Sequence, residues 1–413
     1  VRMCIRDSYY GRQVFRSPYA DREEENPTPV TLNPSQQQAL DGLWEQWQRG
    51  EGSALLYGVT GSGKSQVYLK LAEQVRAQGK GVIILVPEIS LTPQTVRLFR
   101  SRFGQRVAVL HSGLTMAERA DEYRRIQQGL ADVVVGTRSA VFAPLEKIGL
   151  IVIDEEQEGA YASQQSPRYH ARDIARARCH RHQALLLLAS ATPSVETFYQ
   201  AQRGRIRLYT LTHRYLGNQL PKVQIVDSTQ SYGFDISQEL TAELLDNLKA
   251  GQQSILLLNR RGYHTAVRCN NCQEVVKCPN CSVALTYHSA NHRLMCHYCG
   301  HSERSSDTCP VCGGIMKHVG TGTQKVEEEL HDLFPGTEVL RMDADTAEGR
   351  HEQLLDKFER ERIPILLGTQ MVAKGLDFPQ VTLVGVLAAD LSLYVDNYRA
   401  AERTFSLLTQ VVG

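Results

Sequence analysis

Gly58-Val-Thr-Gly-Ser-Gly-Lys-Ser65 is the stretch whose reading decides the fold of this chain. It fits G-x-x-x-x-G-K-[ST], a pattern whose glycines let successive backbone N–H groups close around phosphates. Gly58, Val59, Thr60, Gly61, Ser62, Gly63, Lys64 and Ser65 are therefore the candidate nucleotide-binding residues. Lys64 would reach the β/γ-phosphate oxygens, and the Ser65 hydroxyl would bind Mg²⁺. The flanks agree, because Ser53–Tyr57 reads as a buried strand and Gln66–Val75 as the helix that follows it. A strand, a glycine-rich loop and a helix in that order make a nucleoside triphosphate site.

Further along, Ile151-Val-Ile-Asp-Glu-Glu156 ends a second buried run on three acids. Asp154 there can hold the Mg²⁺ that Ser65 touches, and Glu155 can polarise an attacking water. Lys64, Asp154 and Glu155 are thus the candidate catalytic residues, with Ser65 and Asp154 as the Mg²⁺ ligands.

The apolar runs around these motifs set the architecture. Gly81–Val86, Val107–Leu110, Asp132–Val135, Gly149–Ile153 and Ala184–Leu188 alternate with helical patterns. Continuous Val/Ile/Leu runs separated by helices indicate an α/β domain whose parallel sheet is covered on both faces. The pattern resumes with Ser254–Leu258, Glu338–Met342, Pro364–Leu367 and Val381–Leu387, a second parallel lobe without a second phosphate loop. The expected organisation is a remnant and linker over residues 1–30, a first lobe over 31–215, and a second lobe over 216–413. Both lobes are expected to be RecA-like, and the second contains a cysteine-rich insertion over 265–318.

Length and composition bound the rest. A chain of 413 residues holds two or three domains. With 46 Lys and Arg against 45 Asp and Glu, no global basic field points to a nucleic acid. No apolar run approaches the roughly 20 residues of a membrane-spanning helix, and no signal peptide opens the chain, so a cytoplasmic protein without a membrane partner is expected. The first residue is Val1 rather than Met, which reads as a truncation.

Eight of the ten cysteines form four C-x-x-C pairs: Cys269/Cys272, Cys278/Cys281, Cys296/Cys299 and Cys309/Cys312. Beside a nucleotide loop this usage favours metal in a reducing compartment over disulfides. Two C-x-x-C knuckles supply the four thiolates of a tetrahedral Zn²⁺, so eight cysteines imply two closed, structural zinc sites. None of the pairs opens a thioredoxin-like helix, which argues against redox chemistry. The block is also too short and too poor in aliphatics to hold a core unaided.

Spacing suggests which pairs combine. Five residues separate the first pair from the second, whereas fourteen separate the second from the third, near the usual zinc-ribbon loop. Cys278, Cys281, Cys296 and Cys299 are expected to form one site. Cys269, Cys272, Cys309 and Cys312 would form the other, nested around it. Residues 260–318 carry seven Lys and Arg against three Asp and Glu, which fits a nucleic-acid or protein surface. His288, His292, His297 and His301 read as neighbours of the knuckles rather than ligands.

Asp154-Glu-Glu156 followed by Ser190-Ala-Thr192 resembles motifs II and III of the superfamily 2 helicases and translocases. That resemblance implies ATP held between two lobes whose closure moves a strand. It places Gln36 near adenine, and Pro87–Thr92, His111–Gly113 and Gly136–Ser139 along the nucleic-acid backbone, with Arg138 supplying charge. Gly368-Thr-Gln-Met-Val-Ala-Lys-Gly-Leu-Asp377 is similar to motif V. There Thr369 and Gln370 would touch the strand, and Gly375 and Asp377 would face the nucleotide ribose.

The cysteine block narrows the resemblance to the bacterial primosomal replication-restart helicases, the primosomal protein N′ family. Val86–Thr95, Arg168–Asp173, Ser190–Pro193, Leu258–Gly262, Gly320–Gln324 and Gly368–Met371 match in order. The resemblance covers residues 30–413 and implies a 3′→5′ DNA helicase that uses ATP, Mg²⁺ and two Zn²⁺. Such a protein recognises stalled forks, binds forked and single-stranded DNA, and starts primosome assembly with primosome proteins and single-stranded DNA-binding protein. Glu158–Asp173, with Tyr161, Arg168, Tyr169 and Arg172, matches that family's loop coupling DNA contact to hydrolysis.

Three departures stand out. Gln157 replaces the usual His after the acids, the N-terminal fork-binding domain has no counterpart, and the chain stops at Thr409–Gly413 before the arginine-bearing motif VI. An arginine finger is worth about 10³–10⁵ in rate, so these 413 residues are expected to bind ATP·Mg but hydrolyse it slowly. The competing readings are another superfamily 2 DNA or RNA translocase with an unrelated zinc insert, and a fork-binding loading scaffold with a dispensable ATPase.

Overall fold

The computed structural model describes residues 31–50, 52–87, 91, 93–214, 221–227, 236–259, 265–272, 274–288, 293–296, 299–319, 323–343, 351–369, 378, 380–394 and 397–412. The chain divides into two compact units, residues 1–220 and 221–412. Each is built around its own parallel sheet.

The first unit starts with helix α1 (Pro34–Gln48), whose Asn33 N-cap forms a reciprocal capping box with Gln36. Its strands are β1 (Ser53–Gly58), β2 (Gly81–Leu85), β3 (Val107–Leu110), β4 (Val133–Gly136), β5 (Ile148–Asp154), β6 (Leu185–Ser190) and β7 (Arg207–Leu211). Helices α2 (Lys64–Ala77), α3 (Pro93–Phe103), α4 (Met116–Gln127), α5 (Ala171–His182) and α6 (Val195–Gln202) connect them. The seven strands are all parallel, in the order β3-β4-β2-β5-β6-β1-β7. Alternating side chains feed two cores on opposite faces, one around Leu56, Ile84, Val152 and Leu187 and the other around Leu55, Ile83, Ile151 and Leu188. A strand buried on both faces has no polar side to display, which is why these runs read as continuous aliphatics. β7 is the exception: it lies at the sheet edge with Arg207, Leu208 and Thr210 exposed, so no apolar run announces it.

This order brings the carboxyl ends of β1, β5 and β6 side by side, with β5 and β1 flanking β6. The phosphate loop, the acids and Ser190 leave the sheet there, the edge where open α/β sheets bind ligands.

In the second unit, α7 (Gln238–Lys249), β8 (Gln253–Leu258), α8 (Thr323–Leu333), β14 (Val339–Met342), α9 (His351–Arg360), β15 (Ile365–Gly368), β16 (Val381–Leu387) and α10 (Ala400–Val412) form the α/β body. Its four strands are parallel in the order β14-β15-β8-β16, and they are the four anticipated from the apolar runs. Between β8 and α8 the chain makes a separate antiparallel sheet from β9 (Thr265–Cys269), β10 (Thr286–His288), β11 (Arg293–Met295), β12 (Ser302–Arg304) and β13 (Met316–Val319). The order is β12-β11-β10-β9-β13. Strands of three to five residues are too short to show a period in sequence, so this sheet was not legible there.

Candidate nucleotide site and metal centres

β1 ends at Gly58, and the chain turns through Gly61 and Gly63 at φ of +74° and +75° before α2 begins at Lys64. Left-handed backbone of this kind suits glycine, which has no Cβ to clash. Gly58 is constrained by space instead: a Cβ there would lie 2.6 Å from Ser62 Oγ and 2.9 Å from Leu211 Cβ. Lys64 is buried, and its Nζ donates to Gly58 O at 2.9 Å across the mouth of the loop. Gln36, also buried, donates through Nε2 to Ser62 O at 2.8 Å and accepts from Asn33 N at 2.9 Å. Its amide thus braces the loop from behind.

Two observations fit this loop to a phosphate chain. Thr60 Oγ1 and Ser62 Oγ are shielded from water with no hydrogen-bond partner, which is costly unless a ligand supplies one. Gly63 also brings no side-chain cap to α2, so the helix's first N–H groups are left to an anion.

Tyr68, one turn into α2, joins the loop to the acids by donating its hydroxyl to Asp154 Oδ2 at 3.1 Å. Burial, and then the charge of Glu155, push the Asp154 carboxyl up to about 6, while Lys64 opposes the shift. A divalent cation would reverse that penalty by favouring the ionised form. Sequence reading missed Tyr68; the available signal was its position four residues after Lys64, on the same face of the helix.

Glu155 occupies a left-handed conformation, φ 45°. Its carboxylate accepts from Gln157 Nε2 at 2.7 Å, and Gln157 Oε1 accepts from Ser190 Oγ at 2.6 Å. Ser190 Oγ in turn accepts from Thr192 N at 2.9 Å. The Asp154–Gln157 segment and Ser190–Thr192 are therefore joined by a neutral amide, which donates to one side and accepts from the other. Glu156 faces away into the protein, where Ser194, Thr197 and Arg172 surround it.

The loop over residues 158–170 returns to the sheet through Tyr161, which is buried and donates its hydroxyl to Asp154 O at 2.6 Å. Arg138 does not extend free from its segment. Its guanidinium donates to Ala162 O at 2.6 Å and Ala160 O at 3.2 Å and lies over the Tyr169 ring. Ser163 N donates to Tyr169 O at 2.7 Å, closing the loop at its base. Of the other expected contacts, Glu88–Ser90, Thr92, Gln370, Gly375 and Asp377 lie outside the described residues.

The eight cysteines fall into two groups, Cys269/Cys272/Cys309/Cys312 and Cys278/Cys281/Cys296/Cys299, each with its sulfurs within 4.8 Å of one another. This is the nested pairing expected from spacing. Every knuckle repeats one backbone pattern: the N–H groups of Cys269, Cys278, Cys296 and Cys309 donate to the carbonyls of Glu274, Val283, His301 and Gly314. Among the described residues, Ser282, Gly300 and Gly313 close their turns in the left-handed region.

Sulfur separations of 3.4 Å (Cys269–Cys312) and 3.6 Å (Cys272–Cys309, Cys278–Cys299) are near the ~3.8 Å edge of a tetrahedron with Zn–S of about 2.3 Å. Gly314 leaves room for this, since a Cβ there would stand 3.0 Å from Cys269 Sγ. Backbone N–H groups, first that of Cys272, draw the Cys269 thiol down to about 6, and that of His301 does the same for Cys299. Hydrogen bonds among the crowded thiols push Cys281 up to about 12 and, outweighing the Glu274 N–H, Cys272 likewise, so the fit to metal rests on the sulfur geometry. The donor set and its geometry fit Zn²⁺. His301 instead pairs with Glu303 at 3.1 Å, and His292 and His297 lie outside the described residues.

Residues 33–201 match the family of DEAD/DEAH box helicases, and residues 316–407 match the helicase conserved C-terminal domain. Residues 278–304 match the Cys-rich region domain of the PriA DNA helicase. Fold and site together define a chain with two helicase-type domains of the DEAD/DEAH class and a cysteine-rich, zinc-type insertion.

The replication restart protein PriA of Bacillus subtilis is 46% identical over 417 residues, covering 99% of this chain and 52% of that protein. Its counterpart from Treponema pallidum is 42% identical over 92% of this chain and 58% of that protein. The chain belongs to the PriA family of replication restart proteins, and it spans about half the length of the curated relatives it matches. Among solved structures, RecG bound to a three-way DNA junction shares the fold at TM-score 0.52 and 16% identity, over 86% of this chain and 38% of that one. The helicase MrfA bound to DNA does so at TM-score 0.52 and 12% identity, over 94% of this chain and 50% of that one.

Proposed function

We propose that this protein is an ATP-dependent 3′→5′ DNA helicase of replication restart, which recognises stalled forks and initiates primosome assembly. The observation that supports the motor reading is the strand order that ends β1, β5 and β6 side by side, with Tyr68 bonded from the phosphate-loop helix to Asp154. Gly58–Ser65 wrap the triphosphate, with Lys64 set against its charge as it develops on the β/γ oxygens. Ser65 and Asp154 hold Mg²⁺, which would supply charge neutralisation at the phosphates. Glu155 orients and polarises the attacking water, its carboxylate steadied by Gln157. Gln36 supports the adenine end by bracing the loop, and Gly375 and Asp377 serve the ribose.

In this reading the first lobe runs over 31–215 and the second over 216–413, with zinc binding at 265–318. Forked and single-stranded DNA are the substrates. Primosome proteins and single-stranded DNA-binding protein are the partners, and the cytoplasm is the site of action. The replication-restart assignment is supported by membership of the PriA family. The chain has no described helix long and apolar enough to cross a membrane.

The test is a strand-displacement assay with the full-length protein that carries these residues, on forks bearing a 3′ or a 5′ single-stranded arm, on plain duplex and on RNA, with wild type and Lys64→Ala. Unwinding of the fork that offers the 3′ arm, lost in Lys64→Ala, is expected. Equal unwinding of RNA, reversed polarity, or unwinding retained in Lys64→Ala would overturn the reading. A Lys64→Ala protein that lost unwinding yet still assembled primosomes would assign assembly to the scaffold rather than the motor.

A further inference from the structure

Glu156 is a charge where the fold asks for none. It follows the two acids of the nucleotide site, and its side chain is wholly shielded from solvent. Oε1 accepts from Ser194 N at 2.7 Å, and Oε2 accepts from Thr197 Oγ1 at 3.0 Å, Arg172 Nη1 at 3.1 Å and Ser194 Oγ at 3.2 Å. Arg172 also donates to Thr197 Oγ1 at 2.8 Å and Ser194 Oγ at 3.2 Å, so one guanidinium nitrogen serves three oxygens. Burying an ion pair brings little net stability, because desolvation offsets the attraction, and apolar residues of similar volume often do as well. Breaking such a pair is nevertheless costly, so both side chains are confined to one geometry.

That geometry lies between two functional elements. On one side, Glu156 N donates to Ala189 O at 3.2 Å and Glu158 N to Glu155 O at 2.9 Å, so the anchored Glu156 fixes the turn that keeps Glu155 at φ 45°. On the other side, Arg172 stands in the first turn of α5, directly after the closed loop 158–170. The loop's tip, residues 164–168, is exposed, while its base is clamped by Arg138 and by the Ser163–Tyr169 bond. A shift at the tip has a short path through His170, whose Nδ1 accepts from Arg172 N at 3.2 Å, to the Glu156 carboxylate.

We propose that Glu156 and Arg172 are a positioning pair, which holds the turn bearing Glu155 in its productive pose. Glu156 is shielded from solvent, and the pair acts through the backbone of its neighbour. The proposal rests on the reading of Glu155 as the water-polarising acid.

The test is steady-state ATP hydrolysis by the full-length protein that carries these residues, with and without single-stranded DNA, for wild type, Glu155→Gln, Glu156→Gln, Arg172→Gln and Arg172→Lys. Glu156→Gln and Arg172→Gln are expected to lower kcat at saturating DNA by about tenfold or more, as small misplacements of catalytic groups do. KM for ATP and the Kd for DNA should stay within about threefold, the signature of a lost transition-state contact rather than lost binding. Arg172→Lys keeps the charge and should recover part of the rate. The stoichiometry of fluorescent ATP-analogue binding reports the folded fraction.

A kcat within about twofold of wild type in both neutral variants, or a loss that merely follows the folded fraction, would overturn the proposal. Glu155→Gln separates the two levels. If it turns over like wild type, the assignment of Glu155 falls and takes the pair's role with it. If it is inactive while Glu156→Gln and Arg172→Gln are unimpaired, only the pair's role falls.

Discussion

The phosphate loop hangs from a seven-stranded parallel sheet whose central strands carry wholly shielded residues, Leu55, Ile151 and Leu187 among them. The cysteine module hangs from five short antiparallel strands, and four of its eight core residues are cysteines. The first region holds its geometry by apolar burial, so its loop is pre-formed and a ligand need only fill it. The second has Val267, Leu285, Leu294 and Met316 as the rest of its core, too few to offset the conformational entropy of some fifty residues. There the metal completes the fold rather than using it. Ligand removal should therefore have opposite consequences in the two regions.

Chelation is the largest way to break that comparison. Structural Zn²⁺ contributes about 10–16 kcal/mol of apparent binding free energy, which in a small module is folding free energy. Stripping both sites is expected to release residues 265–319 to rapid amide exchange while the strands of the first unit keep their protection. Removal of nucleotide should leave both regions folded. Loss of first-unit protection on chelation would show that the two supports are not independent.

Substituting one thiolate sharpens the claim. Cys296→Ser should drop the metal content measured by native mass spectrometry from two ions to one, since Cys296 groups with Cys278, Cys281 and Cys299 and not with the outer four. Loss of both ions would join the nested sites into one folding unit.

The converse perturbation is smaller. Leu187→Ala removes a fully buried side chain from the first unit's core and should cost about 2–5 kcal/mol in denaturant unfolding of that unit, with zinc content unchanged. Asn33→Ala is expected to cost about 1 kcal/mol, the usual loss for a capping residue. It removes the Gln36 N–Asn33 Oδ1 bond but keeps the bond from Asn33 N to Gln36 Oε1, so ATP-analogue affinity should be unchanged.

The same contrast explains what could be read in advance. Parallel strands buried on both faces announce themselves as aliphatic runs, so β1–β6, β8 and β14–β16 were legible, as were Gly58–Ser65 and Asp154–Glu155 at the ends of such runs. The cysteine pairing was legible too, because loop length decides which knuckles can share an ion. The module's own sheet was not, since strands such as Thr286–His288 hold too few residues for a pattern. β7 escaped because its edge position leaves it mostly exposed.

The wiring around the acids escaped for another reason. Glu156 reaches Ser194 and Thr197 across 38 and 41 residues, and Arg138 reaches the carbonyls of Ala160 and Ala162 across 22 and 24. Local sequence holds no sign of partners that only the sheet order brings together. The segment Gly136–Ser139 looked like a contact for nucleic acid, yet its arginine closes a loop of the same chain.

The central claim is that the loop at Gly58–Ser65 and the acid Glu155 form one hydrolytic site driven by DNA. The most direct measurement is the turnover of ATP by the full-length protein that carries these residues, with and without forked DNA, for wild type against Glu155→Gln. A DNA-stimulated rate in wild type, reduced by about 10²–10⁴ in Glu155→Gln with ATP-analogue affinity retained, is the expected result. Turnover that ignores DNA, or that survives the loss of Glu155, would contradict it.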